Sequence, residues 1–191
     1  LHLCNKNLEK IPTSTTKHDL LAEVCYAAKY EGESIKTHYP KYNAEYPSGS
    51  GSSMCTMLAR SFADIGDIIR GKDLYRRDKG KREKLEEKLK QYFKNIYDNL
   101  NGAQTRYKKD GDNFYQLRED WWTANRHTVW KALTCSEDLN NSSYFHATCS
   151  DRKGICSQAN KYCRCNGDQP GNDKANTDPP TYFDYVPQYL R

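Results

Sequence analysis

The sequence predicts a mainly α fold, a disulfide-stabilised helical bundle with long variable loops. Three observations predict it. Apolar residues recur every three or four positions along four segments, and no segment shows the period of two that marks a strand. Leu, Ile, Val and Phe make up about 15% of the 191 residues, a thin core that by itself falls in the range of disordered chains. Eight cysteines offer covalent compensation.

Residues 17–30 read as the first helix, because Leu20, Leu21, Val24, Cys25 and Ala28 share one face, with Thr16 as N-cap. Pro40 is expected to end any extension, since it lacks an amide donor and crowds the preceding turn. Residues 47–53, Pro-Ser-Gly-Ser-Gly-Ser-Ser, read as a flexible linker. The second helix is expected over Met54–Arg70, with Met57, Leu58, Phe62, Ile65, Ile68 and Ile69 as its buried stripe and Gly71 as its stop. The third is expected over Lys81–Leu100, on a stripe of Leu85, Leu89, Phe93, Ile96 and Leu100. On its polar side the pairs Glu86–Lys90 and Glu87–Lys90 are opposed by the like-charge pairs Glu83–Glu87 and Lys84–Lys88, so this helix rests on its stripe.

The fourth helix is expected over Asn113–Leu133. Phe114, Leu117, Trp121, Ala124 and Thr128 lie on one line, with Trp122, Val129 and Leu133 beside it. Adjacent helical side chains diverge by about 100°, so at least one of Trp121 and Trp122 could leave the main core. Residues 136–181 hold sequons at Asn140 and Asn141, the late cysteines, Gly-Asp-Gln-Pro-Gly and Asp-Pro-Pro. These are turn signals, and the stretch reads as a long loop region pinned by cysteines.

Cys4, Cys25, Cys55, Cys135, Cys149, Cys156, Cys163 and Cys165 are the disulfide candidates, and their even number permits full pairing. Zinc is the weaker reading, because Cys163 and Cys165 have one residue between them and no Cys-x-x-Cys knuckle occurs. Disulfides imply an oxidising, extracellular setting. No apolar run exceeds about five residues, against the ~20 of a membrane span. The chain opens at Leu1 and closes at Arg191 with no signal segment, and both ends read as cut from a longer protein.

Catalytic signatures are missing: the sequence has no Gly-x-Ser-x-Gly, no Walker loop, no Gly-x-Gly-x-x-Gly and no His-Glu-x-x-His. Asp64 and Asp67 have the spacing of an acid–base pair, but Asp67 and Arg70 have that of an ion pair on a solvated face. Glu119 and Asp120 read as helix-face acids, and the five histidines are scattered. No enzyme, metal or cofactor is expected. The informative feature is a basic run of Arg70, Lys72, Arg76, Arg77, Lys79, Lys81, Arg82 and Lys84, set against Asp73, Asp78 and Glu83. Its excess of five positive charges equals that of the whole chain. Such a run attracts polyanions, and Arg adds bidentate geometry for oxyanions. Cations at the start of the third helix oppose its dipole, which favours a functional reason for them. Sulfated or sialylated glycan suits an extracellular setting better than nucleic acid does. Arg152, Lys153, Lys161 and Arg164 form a second, weaker cluster.

Several stretches resemble one known family. They include Leu3-Cys4, Asn7-Leu8-Glu9 and Glu23-Val24-Cys25-Tyr26-Ala27-Ala28-Lys29-Tyr30-Glu31-Gly32, then residues 63–75 with Asp64-Ile65-Gly66-Asp67-Ile68-Ile69-Arg70-Gly71-Lys72. Arg118-Glu119-Asp120-Trp121-Trp122-Thr123-Ala124-Asn125-Arg126, Val129-Trp130-Lys131-Ala132-Leu133-Thr134-Cys135, Cys163-Arg164-Cys165 and residues 180–191, which end in Pro187-Gln188-Tyr189-Leu190-Arg191, follow in order. Together they resemble the Duffy-binding-like alpha domain of the Plasmodium falciparum erythrocyte membrane protein 1 (var) adhesins.

The resemblance implies a disulfide-stabilised helical adhesion domain, displayed on the infected erythrocyte as part of a larger membrane-anchored protein. It implies host receptor proteins, sulfated glycans such as heparan sulfate, and neighbouring adhesin domains as partners, with rosetting or cytoadherence as the outcome. Residues 1–45 would be the end of a first subdomain with its leading helix. Residues 46–191 would be the middle bundle, without a third subdomain. Residues 43–53, 76–112 and 136–179 would be the variable blocks. No binding residue carries over by motif, so the glycan site rests on the basic run alone.

Overall fold

In the computed structural model, residue 8 and residues 17–45, 53–74, 79–150, 156–175 and 177–191 are described. Four helices carry the architecture: α1 (Lys17–Glu45), α2 (Met54–Arg70), α3 (Lys79–Asp98) and α4 (Tyr115–Leu133). The expected N-cap of α1, Thr16, lies outside the described residues.

Helix α2 has the expected bounds because both of its ends are chemically marked. Ser53 at the end of the linker takes an extended conformation, and its Oγ accepts a hydrogen bond from the Thr56 amide at 3.3 Å. Gly71 adopts φ 71°, ψ 22°, and the amides of Gly71 and Lys72 close on the carbonyls of Ile68 and Asp67. Burial goes well beyond one stripe: Cys55, Ala59, Ser61, Ala63, Gly66, Asp67 and Arg70 are inside as well as Leu58, Phe62, Ile65 and Ile69. α2 is the central rod of the bundle.

α4 lies between α2 and α3, which decides the fate of its tryptophans. Trp122 packs on Phe62 of α2 with ring centroids 5.1 Å apart, and Trp130 meets the same ring edge-on at 5.2 Å. Trp121 meets Phe93 of α3 edge-on at 6.1 Å. Both adjacent tryptophans are therefore buried, and the departure from the core that their divergence allows does not occur. Ala124 is the residue that the expected line misplaces, because it is exposed.

α1 corrects the reading of Pro40, since the helix runs through it to Glu45. Ile35 is buried, and Pro40 five residues on is exposed. The ring therefore meets solvent rather than a packed neighbour. α1 and α4 approach closely at Gly32, where a Cβ would stand 2.1 Å from the Leu133 carbonyl oxygen. Four residues on, Lys36 reaches Ser136 at 3.0 Å and Asp138 at 2.8 Å. On α3, Leu85, Leu89, Tyr92 and Phe93 are buried. Glu86 turns inward to Arg118 of α4 at 2.9 Å instead of serving Lys90 along the surface.

Beyond α4 the chain is mostly irregular, with a two-residue antiparallel ribbon of β1 (Cys149–Ser150) and β2 (Cys156–Ser157). It nevertheless feeds the core with Leu139, Tyr144, Ala159 and Tyr162. Disulfides join Cys55 to Cys163 and Cys149 to Cys165. Cys25, Cys135 and Cys156 are free thiols, so the permitted full pairing is not reached among the described residues, and Cys4 lies outside them. Among the described residues no helix is long and apolar enough to cross a membrane.

Candidate functional site

The basic run divides into an inner and an outer part. Arg70 is 2% exposed. Its Nε donates to the Gly66 carbonyl at 3.0 Å, and its Nη2 donates to Asp67 at 3.0 Å and to the Asp184 carbonyl. The Asp67–Arg70 pair thus forms as the spacing predicts, but inside the molecule rather than on a solvated face. Arg70 is consequently withdrawn from the glycan-binding set. Every donor it turns inward is one that an external anion cannot reach.

Lys72 is exposed and pairs with Glu119, and Lys84 is exposed on the second turn of α3. Lys79, Lys81 and Arg82 occupy the first turn of α3 by backbone position, while Arg76 and Arg77 lie outside the described residues. The backbone therefore places Lys79, Lys81, Arg82 and Lys84 in the first two turns of α3, at the positive end of its dipole. In the second cluster Arg164 is buried, donating to Thr134 Oγ1 at 2.8 Å, to the Lys131 carbonyl at 2.7 Å and to Asp173 at 2.7 Å. Lys161 is exposed, and Arg152 and Lys153 lie outside the described residues.

A buried polar network that the sequence reading misses fixes the chain's C-terminal segment to α2 and α4. The Asp184 carboxylate, fully buried, accepts from Arg126 Nε at 2.8 Å, Arg126 Nη2 at 2.9 Å and Trp122 Nε1 at 2.9 Å. Arg126 also donates to the Thr181 carbonyl at 2.8 Å and stacks between Phe62, Tyr182 and Tyr185 at 5.2–5.6 Å. Burial works against its charge, yet the hydrogen bonds and attraction of Asp184 hold its pKa above the ordinary value. Arg191 closes the segment on Asp64, at 3.1 Å, and on Asp67. Burial raises both carboxyls above the usual range, and Arg191 opposes the shift. Asp64 and Asp67 are thus partners of an internal arginine. A signal for this network exists in the sequence: Arg70, Arg118, Arg126, Arg164 and Arg191 all fall inside the stretches that carry the family resemblance, not in the lysine-rich blocks between them.

His127 is half-buried, and burial together with Lys131 pushes its pKa below the ordinary 6.5. His146 is exposed and stacked on Phe145 at 3.8 Å. Among the described residues no group of His, Cys, Asp and Glu is arranged to hold a metal ion.

The family model described as the Duffy binding domain matches residues 1–191. No curated protein matches the chain. Among solved structures, the NTS-DBL1(alpha-1) domain of the Plasmodium falciparum membrane protein 1 (PfEMP1) of the varO strain is 39% identical, with a TM-score of 0.75. The match covers 99% of this chain and 40% of that one. The ICAM-1-binding PfEMP1 IT4var13 DBLbeta domain is 33% identical, with a TM-score of 0.67, over 100% of this chain and 39% of that one. A DBLb domain of a PfEMP1 bound to human ICAM-1 is 29% identical, with a TM-score of 0.62, over 99% of this chain and 36% of that one. The chain spans about two fifths of the length of these structures.

Proposed function

Because the chain belongs to the Duffy binding domain family, whose solved neighbours are PfEMP1 adhesion domains, we propose that it is an extracellular host-cell adhesion module and not an enzyme. In this reading it is displayed on the infected erythrocyte as part of a longer membrane-anchored protein. It binds a red-cell or endothelial receptor protein, with sulfated glycan as a second ligand. Residues 1–45 are the end of a first subdomain, and residues 46–191 form the middle helical bundle. The observation that carries the proposal is the solved DBLb domain, similar to this chain over nearly its whole length, that is bound to human ICAM-1. The glycan part rests on Lys72, Lys79, Lys81, Arg82 and Lys84, whose charge adds to the positive end of α3, and on Arg76 and Arg77 between them in sequence.

The test is adhesion of the chain to red cells and endothelial cells, with and without soluble heparin. Heparin retention that falls as salt rises, and that drops when Arg76, Arg77, Lys79, Lys81 and Arg82 are neutralised together, supports the site. Unchanged retention removes it. One observation favours a second reading, a spacer that orients a neighbouring adhesin domain. Leu74, Tyr189 and Leu190 are 62%, 71% and 66% exposed, and Gln188 ties their segments together through the Leu74 amide and Asp73. A spacer binds no cells alone and restores adhesion when joined to its neighbour.

A further inference from the structure

The chain passes from α3 into α4 through two 3-10 turns, Ala103–Tyr107 and Gly111–Asn113, and Arg118 stands in the first turn of α4. Its side chain is 0% exposed. Three groups confine it. Nη2 lies 2.9 Å from one oxygen of Glu86, and Nη1 donates to the other at 3.3 Å, so guanidinium and carboxylate meet fork to fork. The guanidinium carbon lies 5.3 Å from the Phe93 ring. The third group is Gly71, the C-cap of α2, where a Cβ would stand 2.6 Å from Nη1.

A buried cation thus separates the two arms of the basic run. Lys72 follows Gly71 at the end of α2, and Lys79, Lys81, Arg82 and Lys84 open α3. Glu86 is the acid best spaced to quench the second arm. It follows Lys79 by seven residues and Arg82 by four, and it precedes Lys90 by four, so all three cations share its side of the helix. Glu83 and Glu87 are exposed, whereas the Glu86 side chain is 33% exposed and has both oxygens turned to Arg118. A lone Glu86 would present a full negative charge to anything approaching this end of α3. Paired with Arg118 it presents a dipole, whose field falls off faster with distance than that of a charge.

We propose that Arg118 is a positioning residue for the sulfated-glycan face. By holding Glu86 inward, it keeps that carboxylate from competing with an anionic polysaccharide for the cations at the start of α3. With no exposed surface, Arg118 does not touch the glycan itself. The proposal rests on the glycan part of the adhesion reading and adds to it a residue from outside the basic run.

The experiment is heparin binding by the whole chain as a function of salt. It compares the wild type with Arg118→Met, Arg118→Lys and the double variant Glu86→Gln/Arg118→Met. Releasing one carboxylate onto the face cancels about one cation, so the slope of log affinity against log salt is expected to be about one smaller in Arg118→Met. Arg118→Lys keeps a cation against Glu86, and the double variant removes the carboxylate together with its partner. Both are expected to return the wild-type slope. A purely structural role for Arg118 predicts a double variant as weak as the single one. That result, or an unchanged slope in Arg118→Met, overturns the proposal. Carbodiimide coupling of glycine ethyl ester to the wild type, mapped by peptide mass, tests the same point should Arg118→Met not fold. Glu86 is expected to label more slowly than Glu83 and Glu87, and equal rates overturn the proposal. A wild type that ignores heparin, or whose retention is unmoved by neutralising Arg76, Arg77, Lys79, Lys81 and Arg82, sinks the glycan reading and this inference with it. Retention that needs those five residues but is indifferent to Arg118 sinks this inference alone.

Discussion

Asp184 ties the C-terminal segment to both α2 and α4. Its carboxylate satisfies Arg126 and Trp122, and its carbonyl satisfies Arg70. Removing one partner from a buried pair leaves a charge with neither water nor counter-ion. Arg126→Ala and Asp184→Ala are each expected to cost about 3–5 kcal/mol, read as a fall in the urea midpoint. Changing both residues to apolar ones of similar size should cost less than the two single changes together. His127 gives a pH dependence of determined sign. Its folded pKa is depressed, so the unfolded chain binds its proton first. Its contribution to stability is complete above pH 6.5 and is lost as pH falls through the folded value. Asp64 and Asp67, with raised pKa values, act in the opposite sense at lower pH, since their burial favours the protonated form. Unfolding measured between about pH 5 and 7 should show stability declining toward acid, and His127→Gln should flatten that decline.

Among the helices, what could be read from the sequence depended on whether a local signal or a tertiary contact set the outcome. α2 was legible to the residue because Ser53 and Gly71 mark its ends chemically. The passage of α1 through Pro40 was not, because nothing local says that the ring faces solvent. The interior arginines were missed for the same reason. A charge run reads as a solvated face unless its partners are known, and Asp184 lies 114 residues from Arg70. The lysine cluster was legible as composition, but which members face outward is a property of the packing that took Arg70 inside. Gly32 and Gly66 lie inside helices and are both sites of close approach. A Cβ at Gly66 would stand 2.8 Å from the Trp122 ring. Gly32→Ala should destabilise by about 1–3 kcal/mol, because a methyl group there meets a backbone carbonyl, not a side chain that can turn away. A thermal melt checks it, and an unchanged melting temperature would show that α1 and α4 can part without loss.

Across the whole molecule, sulfur does what a thin core cannot. The Cys55–Cys163 bond closes 108 residues and the Cys149–Cys165 bond 16, so by loop-closure entropy the first stabilises by about 5 kcal/mol and the second by about 3. Replacing the first pair with Ala should lower the unfolding midpoint more than replacing the second. The three free thiols among the described residues should differ as sharply. Burial pushes the Cys25 thiol up to about 11, while Cys135 and Cys156 are exposed. Brief alkylation near pH 8 should label Cys135 and Cys156 and spare Cys25, with peptide mapping as the readout. The longer bond also changes what happens when the chain is severed. α3, both 3-10 turns and α4 lie inside the ring that it closes. A protease that nicks the exposed turn near Gly102 therefore liberates nothing. The clipped molecule should run as one species on a gel without reductant and as two fragments with it, still joined through sulfur after the backbone has been cut.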